Sequence, residues 1–208
     1  MQRYKCKDRN CNFTICFDVV SEKDKKRRFA LTLYLEGLGF HSIGRALGVS
    51  HVSVLNWIRK YGNQFDKVRN PRSAQIVEMD EMHSYIGHKK IRWIWTCIDR
   101  DTKEYIDFVV GDRSSKTGIT LWNKVKQRVI GCVFTDYWKA YKEMIPSDQL
   151  RQSKGKTNTA ENFNSLIRHC LARFRRQTKC YSKSVEMIVC SLKLLMAKQN
   201  GMLSIQIY

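Results

Sequence analysis

Ile76-Val77-Glu78-Met79-Asp80-Glu81-Met82-His83-Ser84-Tyr85-Ile86-Gly87 is short, rich in apolar and aromatic residues and free of proline, which is the composition of a β-strand. Side chains alternate between the two faces of a strand, so Glu78, Asp80 and Met82 share one side and His83 falls on the other. A carboxylate in the middle of an apolar strand is costly to bury unless a cation or hydrogen bonds receive it. Asp80 is therefore either an edge-strand residue in a surface salt bridge, or a metal ligand whose partner carboxylates lie further along the chain.

The downstream sequence supplies candidates for those partners. Arg92–Ile98 leads through the polar turn Asp99–Lys103 into Tyr105–Val110, so that three successive strands form an antiparallel meander. Ser115–Val129 reads as a helix with Ile119, Trp122, Val125 and Val129 on one stripe, and Val129–Thr135 as a strand apolar enough to be buried on both faces. Asp136 follows at once. Carboxyl ends of such strands are where mixed sheets bind ligands, although Asp136 also suits the N-cap of a helix over Tyr137–Met144. Glu161 opens a long helix through about Arg175, and Asn158-x-x-Glu161 fits a capping box. On the helical wheel Phe163, Leu166, Ile167, Cys170 and Phe174 form one face, while Glu161, Asn164, Ser165, Arg168, Arg175 and Arg176 share the other.

Three carboxylates that converge from a strand, a later strand end and a late helix can hold two divalent cations for phosphoryl transfer. Hard oxygen ligands favour Mg²⁺ or Mn²⁺ over zinc. Asp99, Asp101, Asp107, Asp112 and Asp148 fall in turns or alternate outward and need no function.

The composition points the same way. The chain has 208 residues and a formal net charge of +19, with five tryptophans and nine tyrosines, which suits a polyanionic partner such as double-stranded DNA. No apolar run is long enough to span a bilayer, and no amino-terminal signal segment is recognisable. The eight cysteines are scattered, which favours a reduced, cytoplasmic protein associated with the nucleoid. Cys6, Cys11 and Cys16 cluster without a fourth ligand, so residues 1–20 read as a zinc-ribbon remnant or a site that borrows ligands.

Between residues 21 and 66 the pattern is helical. Ser21 caps a first helix whose apolar face is Phe29, Leu31, Leu33, Tyr34 and Leu35, and Gly37 and Gly39 end it. Ser42–Leu47 is a short second helix, Gly48-Val49-Ser50 a tight turn, and Ser50 the cap of a third helix running to about Tyr61. This spacing is that of a helix-turn-helix. Ser50, His51, Ser53 and Asn56 are left to meet base edges, and Arg59 and Lys60 to meet phosphate; a plain three-helix bundle is the bland alternative. Asp66–Ala74 reads as the linker to a second domain, residues 74–208.

Glu78-Met79-Asp80-Glu81, Thr135-Asp136-x-Trp138-x-x-Tyr141 and Glu161-x-x-Asn164-x-x-x-Arg168 together resemble the DDE transposases of the insertion-sequence-1 family. The resemblance implies a ribonuclease-H-like mixed sheet flanked by helices, with Asp80, Asp136 and Glu161 as catalytic metal ligands and Arg168 as a basic residue two turns after the glutamate. It also implies element ends and target DNA as partners, and a homo-oligomer assembled on DNA. Family members begin with a zinc ribbon of two cysteine pairs, of which only the second, Cys6 and Cys11, is recognisable here as an incomplete zinc site.

Val185, Ile188, Val189, Leu192 and Leu195 mark a last helix over Ser182–Gln199, with a core or dimer face. Arg173, Arg175, Arg176, Lys179 and Lys183 form a basic approach to it. The reading is a transposase that binds terminal inverted repeats and performs Mg²⁺-dependent cleavage and strand transfer. Its rivals are a nuclease without strand transfer and a catalytically silent DNA-binding repressor.

Overall fold

The strand read at Ile76–Gly87 forms as the centre of a five-stranded sheet. The computed structural model describes residues 4–5, 12–13, 21–65, 73–87, 90–153 and 155–203. Cys6, Cys11 and Cys16, and most of the expected linker, lie outside the described residues. The elements in order are β1 (Tyr4–Lys5), β2 (Asn12–Phe13), α1 (Glu22–Leu35), α2 (Phe40–Leu47), α3 (His51–Gln64), β3 (Ala74–Ile86), β4 (Lys90–Asp99), β5 (Tyr105–Gly111), α4 (Ser115–Val125), β6 (Val129–Thr135), α5 (Ala140–Met144), β7 (Leu150–Gln152), α6 (Asn158–Cys170), a 3₁₀ turn at Ala172–Phe174 and α7 (Val185–Gln199).

The sheet order is β5-β4-β3-β6-β7. β3, β4 and β5 form the expected antiparallel meander. β6 then adds to β3 in parallel, and β7 to β6 in parallel. This mixed sheet flanked by helices is the ribonuclease-H-like arrangement anticipated from the sequence. β7 has no counterpart in the sequence reading, because three residues are too short to show a period.

Strict alternation along β3 and β4 divides the core in two. Val77, Met79, Trp95 and Cys97 turn to one face and pack with Leu121, Trp122 and Val125 of α4 and Tyr141 and Met144 of α5. Met82, Ile94 and Ile98 turn to the other, where they meet Phe163 and Ile167 of α6 and Ile188, Leu192 and Leu195 of α7. Ala30, Leu31, Tyr34, Ile43, Val54 and Ile58 of the first three helices belong to this second core.

α7 is thus a buried core helix, wedged between the sheet and the helical unit. Its fit against α3 is close: a Cβ on Gly62 would lie 2.0 Å from the Cys190 sulfur. Arg173, expected on an exposed basic approach, is buried. Its Nε donates to Tyr34 Oη at 2.7 Å, its Nη1 donates to Ser182 Oγ at 3.0 Å, and its guanidinium lies over the Phe40 ring.

Several helix ends differ from expectation. α2 starts at Phe40, whose ring stacks on Tyr34 with centroids 5.3 Å apart, and α3 runs on to Gln64. α4 stops at Val125 and turns before β6. α6 begins at Asn158 and stops at Cys170, because Leu171 is extended and the chain tightens into the 3₁₀ turn.

The start of α6 is set from a distance. Its N-cap, Thr157, makes no side-chain capping bond. Instead Glu78 Oε2, from the sheet, accepts the Ala160 N–H at 2.9 Å, while Glu78 Oε1 pairs with Arg100 Nε at 2.6 Å. Glu78 is 1% exposed. A buried carboxylate is tolerated when cation and donors surround it, and removing it leaves the partners uncompensated. We expect Glu78→Ala to lower stability by about 3 kcal/mol, seen as a lower urea midpoint, with Glu78→Gln, which keeps the acceptor for Ala160, losing less.

Candidate active site

Register places the first two carboxylates. β3 and β6 pair in parallel with Val77 opposite Val133 and Glu78 opposite Phe134. Carrying that register two residues on sets Asp136, just past the end of β6, beside Asp80. The Asp136 charge opposes ionisation of Asp80 and also of Glu81.

α6 closes on Asp80 from the other side. Asn164 Nδ2 donates to Asp80 Oδ2 at 2.7 Å. Asn164 is buried, so at this position the polar face of the wheel makes a contact, while Glu161 and Ser165 beside it stay exposed. The amide oxygen of Asn164 is buried with no hydrogen-bond partner. Burial first, then the Glu81 charge, push the Asp80 carboxyl up to about 6, against the opposing bonds from the Glu81 backbone and Asn164, with Asp136 adding to the rise.

Asp136 does not cap a helix. Its Oδ1 accepts the Trp138 N–H at 2.9 Å in an Asx turn, and α5 begins only at Ala140. β7 holds this loop: Gln152 Nε2 donates to the Asp136 carbonyl at 2.9 Å and to the Trp138 carbonyl at 3.3 Å.

Glu161 is exposed at the first turn of α6, where its Oε1 accepts from Thr157 Oγ1 at 3.2 Å. The expected cap at Asn158 is therefore shifted one residue back, to Thr157. Glu161 stands one turn before Asn164 and shares its helical stripe. No hydrogen bond joins it to Asp80 or Asp136 among the described residues, nor do three or more His, Cys, Asp or Glu side chains stand there at the spacing of a metal cluster.

Glu81 was absent from the sequence reading of the site. It points to the opposite face from Asp80, where Tyr141 Oη donates to its Oε2 at 2.6 Å and Arg113 Nη2 pairs with its Oε1 at 3.0 Å. Burial raises its carboxyl despite both partners. Arg113 lies over the rings of Trp93, at 4.5 Å, and Trp138, at 4.8 Å, so one cation ties Glu81 to the loop that carries Asp136.

The donor chemistry fits a hard divalent cation. The Asp136 carboxylate and the Asn164 amide, whose buried oxygen has no partner, stand by Asp80, and among the described residues no lysine or arginine hydrogen-bonds to Asp80.

In the helical unit, Gly48 adopts the left-handed conformation, φ 64°, that the turn requires, and a Cβ on Gly44 would come within 2.7 Å of the Val49 carbonyl. Ser50 caps α3 by accepting the Ser53 N–H at 3.0 Å, and the two hydroxyls are hydrogen-bonded. The His51 ring stacks on His41 at 4.0 Å, and His51, Asn56 and Lys60 are exposed. Arg59 stands 3.9 Å from Glu186 of α7. Arg175 and Arg176 are exposed, beyond the end of α6, with Arg175 Nη2 donating to the His169 carbonyl at 3.3 Å.

The sheet order, an antiparallel β5-β4-β3 meander continued in parallel by β6 and β7, is that of a ribonuclease-H-like core. The IS1 transposase family model matches residues 74–198, and the chain belongs to this family. A second model, for the ATPase subunit of terminase (gpP-like), matches residues 25–66. Curated relatives include the insertion element iso-IS1n protein InsB of Shigella dysenteriae, 31% identical over 54% of this chain and 87% of its own length. The insertion element IS1 4 protein InsB of Escherichia coli (strain K12) is 33% identical over 56% of this chain and 72% of its own. Similar solved structures include the catalytic core domain of BIV integrase, with a TM-score of 0.41 and 12% identity over 59% of this chain and 82% of that one. The HTLV-2 integrase catalytic core domain in complex with magnesium has a TM-score of 0.41 and 16% identity over 62% of this chain and 88% of that one. No helix among the described residues is long and apolar enough to cross a membrane.

The raised Asp80 carboxyl has a consequence for stability. Well below pH 4 it is protonated in both folded and unfolded chains, and its contribution is fully present. As pH rises towards 6 the unfolded chain ionises first, and stability falls; well above 6 the loss is complete. Metal-free Asp80→Asn should therefore be more stable than the unmutated protein at pH 7.5, by on the order of 1–3 kcal/mol, and the gain should vanish near pH 4. Thermal unfolding in a chelator across this range measures it, and an Asn variant less stable at pH 7.5 would contradict the assigned environment.

Proposed function

We propose that the chain binds the terminal inverted repeats of its element and carries out Mg²⁺- or Mn²⁺-dependent cleavage and strand transfer, using Asp80, Asp136 and Glu161. The observation that carries this reading is the alignment of Asp80 with Asp136 by parallel register, with α6 joined to Asp80 through Asn164. When bound, the cation supplies charge neutralisation at the reacting phosphate and activates the attacking oxygen. Asp80 and Asp136 would hold it, and Glu161 would complete the set on exchanging Thr157 for the metal.

The protein's own residues do the rest. Asn164 fixes the Asp80 carboxylate, while Gln152 and the Trp138 N–H fix the turn at Asp136. Arg168, half-buried two turns after Glu161, and the exposed Arg175 and Arg176 neutralise backbone phosphates beside the acidic pair. His51 and Asn56 of α3 read base edges, with Ser50 and Ser53 shaping the start of the helix and Arg59 and Lys60 binding phosphate. The protein works as a homo-oligomer on DNA, since two element ends must be joined to one target.

The test incubates pre-cut element ends bearing a free 3′-hydroxyl with plasmid and Mg²⁺. Joined products are expected from the unmutated protein, falling by at least about a hundredfold in Asp80→Asn, Asp136→Asn and Glu161→Gln, while end binding in chelator persists. Hydrolysis without joining would favour the nuclease. No metal-dependent chemistry at all would leave the silent repressor.

A further inference from the structure

Beyond Asp80, β3 runs on along one wall of a cleft of about 420 Å³. Its walls include His83 and Tyr85 from the strand, Arg168 from α6, and Arg176, Gln177 and Tyr181 from the segment before α7. Among the described residues no aspartate or glutamate lines it. Two features mark it as a built site. The segment is pinned to the end of β3, with Ile86 bridged to Ser182 and the Gly87 N–H donating to the Ser182 carbonyl at 2.9 Å. Gln177 holds a left-handed backbone, φ 55°, which a side chain other than glycine adopts only when its surroundings impose it.

The chemistry of the walls is divided. One side is cationic: burial, and then the charge of Arg176, push the Arg168 guanidinium below its usual range, with Asp80 opposing. The other side is aromatic. Tyr85 is 44% exposed, and the His83 ring meets Tyr85 edge-on at 5.7 Å and Trp93 at 5.5 Å. Burial, and then the charges of Arg168, Arg176 and Arg113, lower the His83 pKa, which favours the neutral ring.

We infer that this cleft takes an unpaired nucleotide of the DNA strand under reaction, its base against Tyr85 and His83 and its phosphate against Arg168 and Arg176. A duplex offers its phosphates on a convex surface and hides the faces of its bases. A concave site that joins paired cations to exposed rings matches a single strand, whose bases present their faces for stacking. The position suits the chemistry: Arg168 stands one turn after Asn164 on the helix that meets Asp80 and feels the Asp80 charge, while His83 lies three residues after Asp80 on β3, about 10 Å along it and on the opposite face of the strand. The inference rests on the proposed strand-processing reading and deepens it.

The probe is a short thymidine oligonucleotide with a central 2-aminopurine, used single-stranded and annealed to its complement, with the full chain in chelator. The unmutated protein should quench the single-stranded probe. Tyr85→Ala should remove the quench and raise the single-strand Kd about tenfold, the worth of one stacked base, while duplex Kd stays within about twofold. Tyr85→Phe, which keeps the ring, should restore both. Loss of single-strand and duplex affinity in equal measure, no change in either, or no single-strand binding by the unmutated protein would overturn the inference. The two readings fail separately: quenching without any metal-dependent cutting or joining refutes the transposase and leaves the cleft, whereas joining by a protein whose quench is indifferent to Tyr85 refutes the cleft alone.

Discussion

Glu78 ties the sheet to the helix that completes the site. Its carboxylate is buried between Arg100 and the Ala160 N–H. That single group neutralises a partly buried cation and satisfies a donor at the positive end of α6. Two residues on, Asp80 faces the same helix and meets Asn164 one turn further along. Strand period and helix pitch therefore act together: where Glu78 grips the first turn of α6, Asp80 must meet the second. Glu161 and Arg168 flank that contact on the same helical stripe.

Much of this was legible. Alternation along residues 76–87 and the apolar run that ends at Asp136 are local signals, and they locate the central strands and their carboxylates directly. Ser50 and Gly48 likewise reveal the turn before α3, because capping and left-handed backbone demand particular residues. The Glu78–Ala160 bond leaves no such trace, since its partners are 82 residues apart. Asn164 misleads for the same reason. A wheel assigns an amide to the polar face, and only the tertiary contact with Asp80 shows that this one residue of it is covered. Arg173 reads as surface charge until Tyr34, 139 residues away, is seen to receive it. Glu81 escaped notice because strand alternation turns it away from Asp80, although Arg113 and Trp138 route it back to the loop of Asp136.

The first three helices and the sheet share one apolar core through α7, with Tyr34 bonded to both Arg173 and Ser191. A DNA end held by α3 would thus be presented at a set angle to the carboxylates, because packed interiors transmit displacement with little give. This arrangement also explains why α7 carries apolar residues around most of its circumference.

The central claim is that Asp80, Asp136 and Glu161 form one divalent-metal site. Titration of Mn²⁺ into the protein, followed by electron paramagnetic resonance of the free ion, measures it without any DNA or turnover. Asp80→Asn, Asp136→Asn and Glu161→Gln should each weaken Mn²⁺ binding by at least about tenfold. Binding that survives Asp80→Asn and Asp136→Asn unchanged would contradict the account.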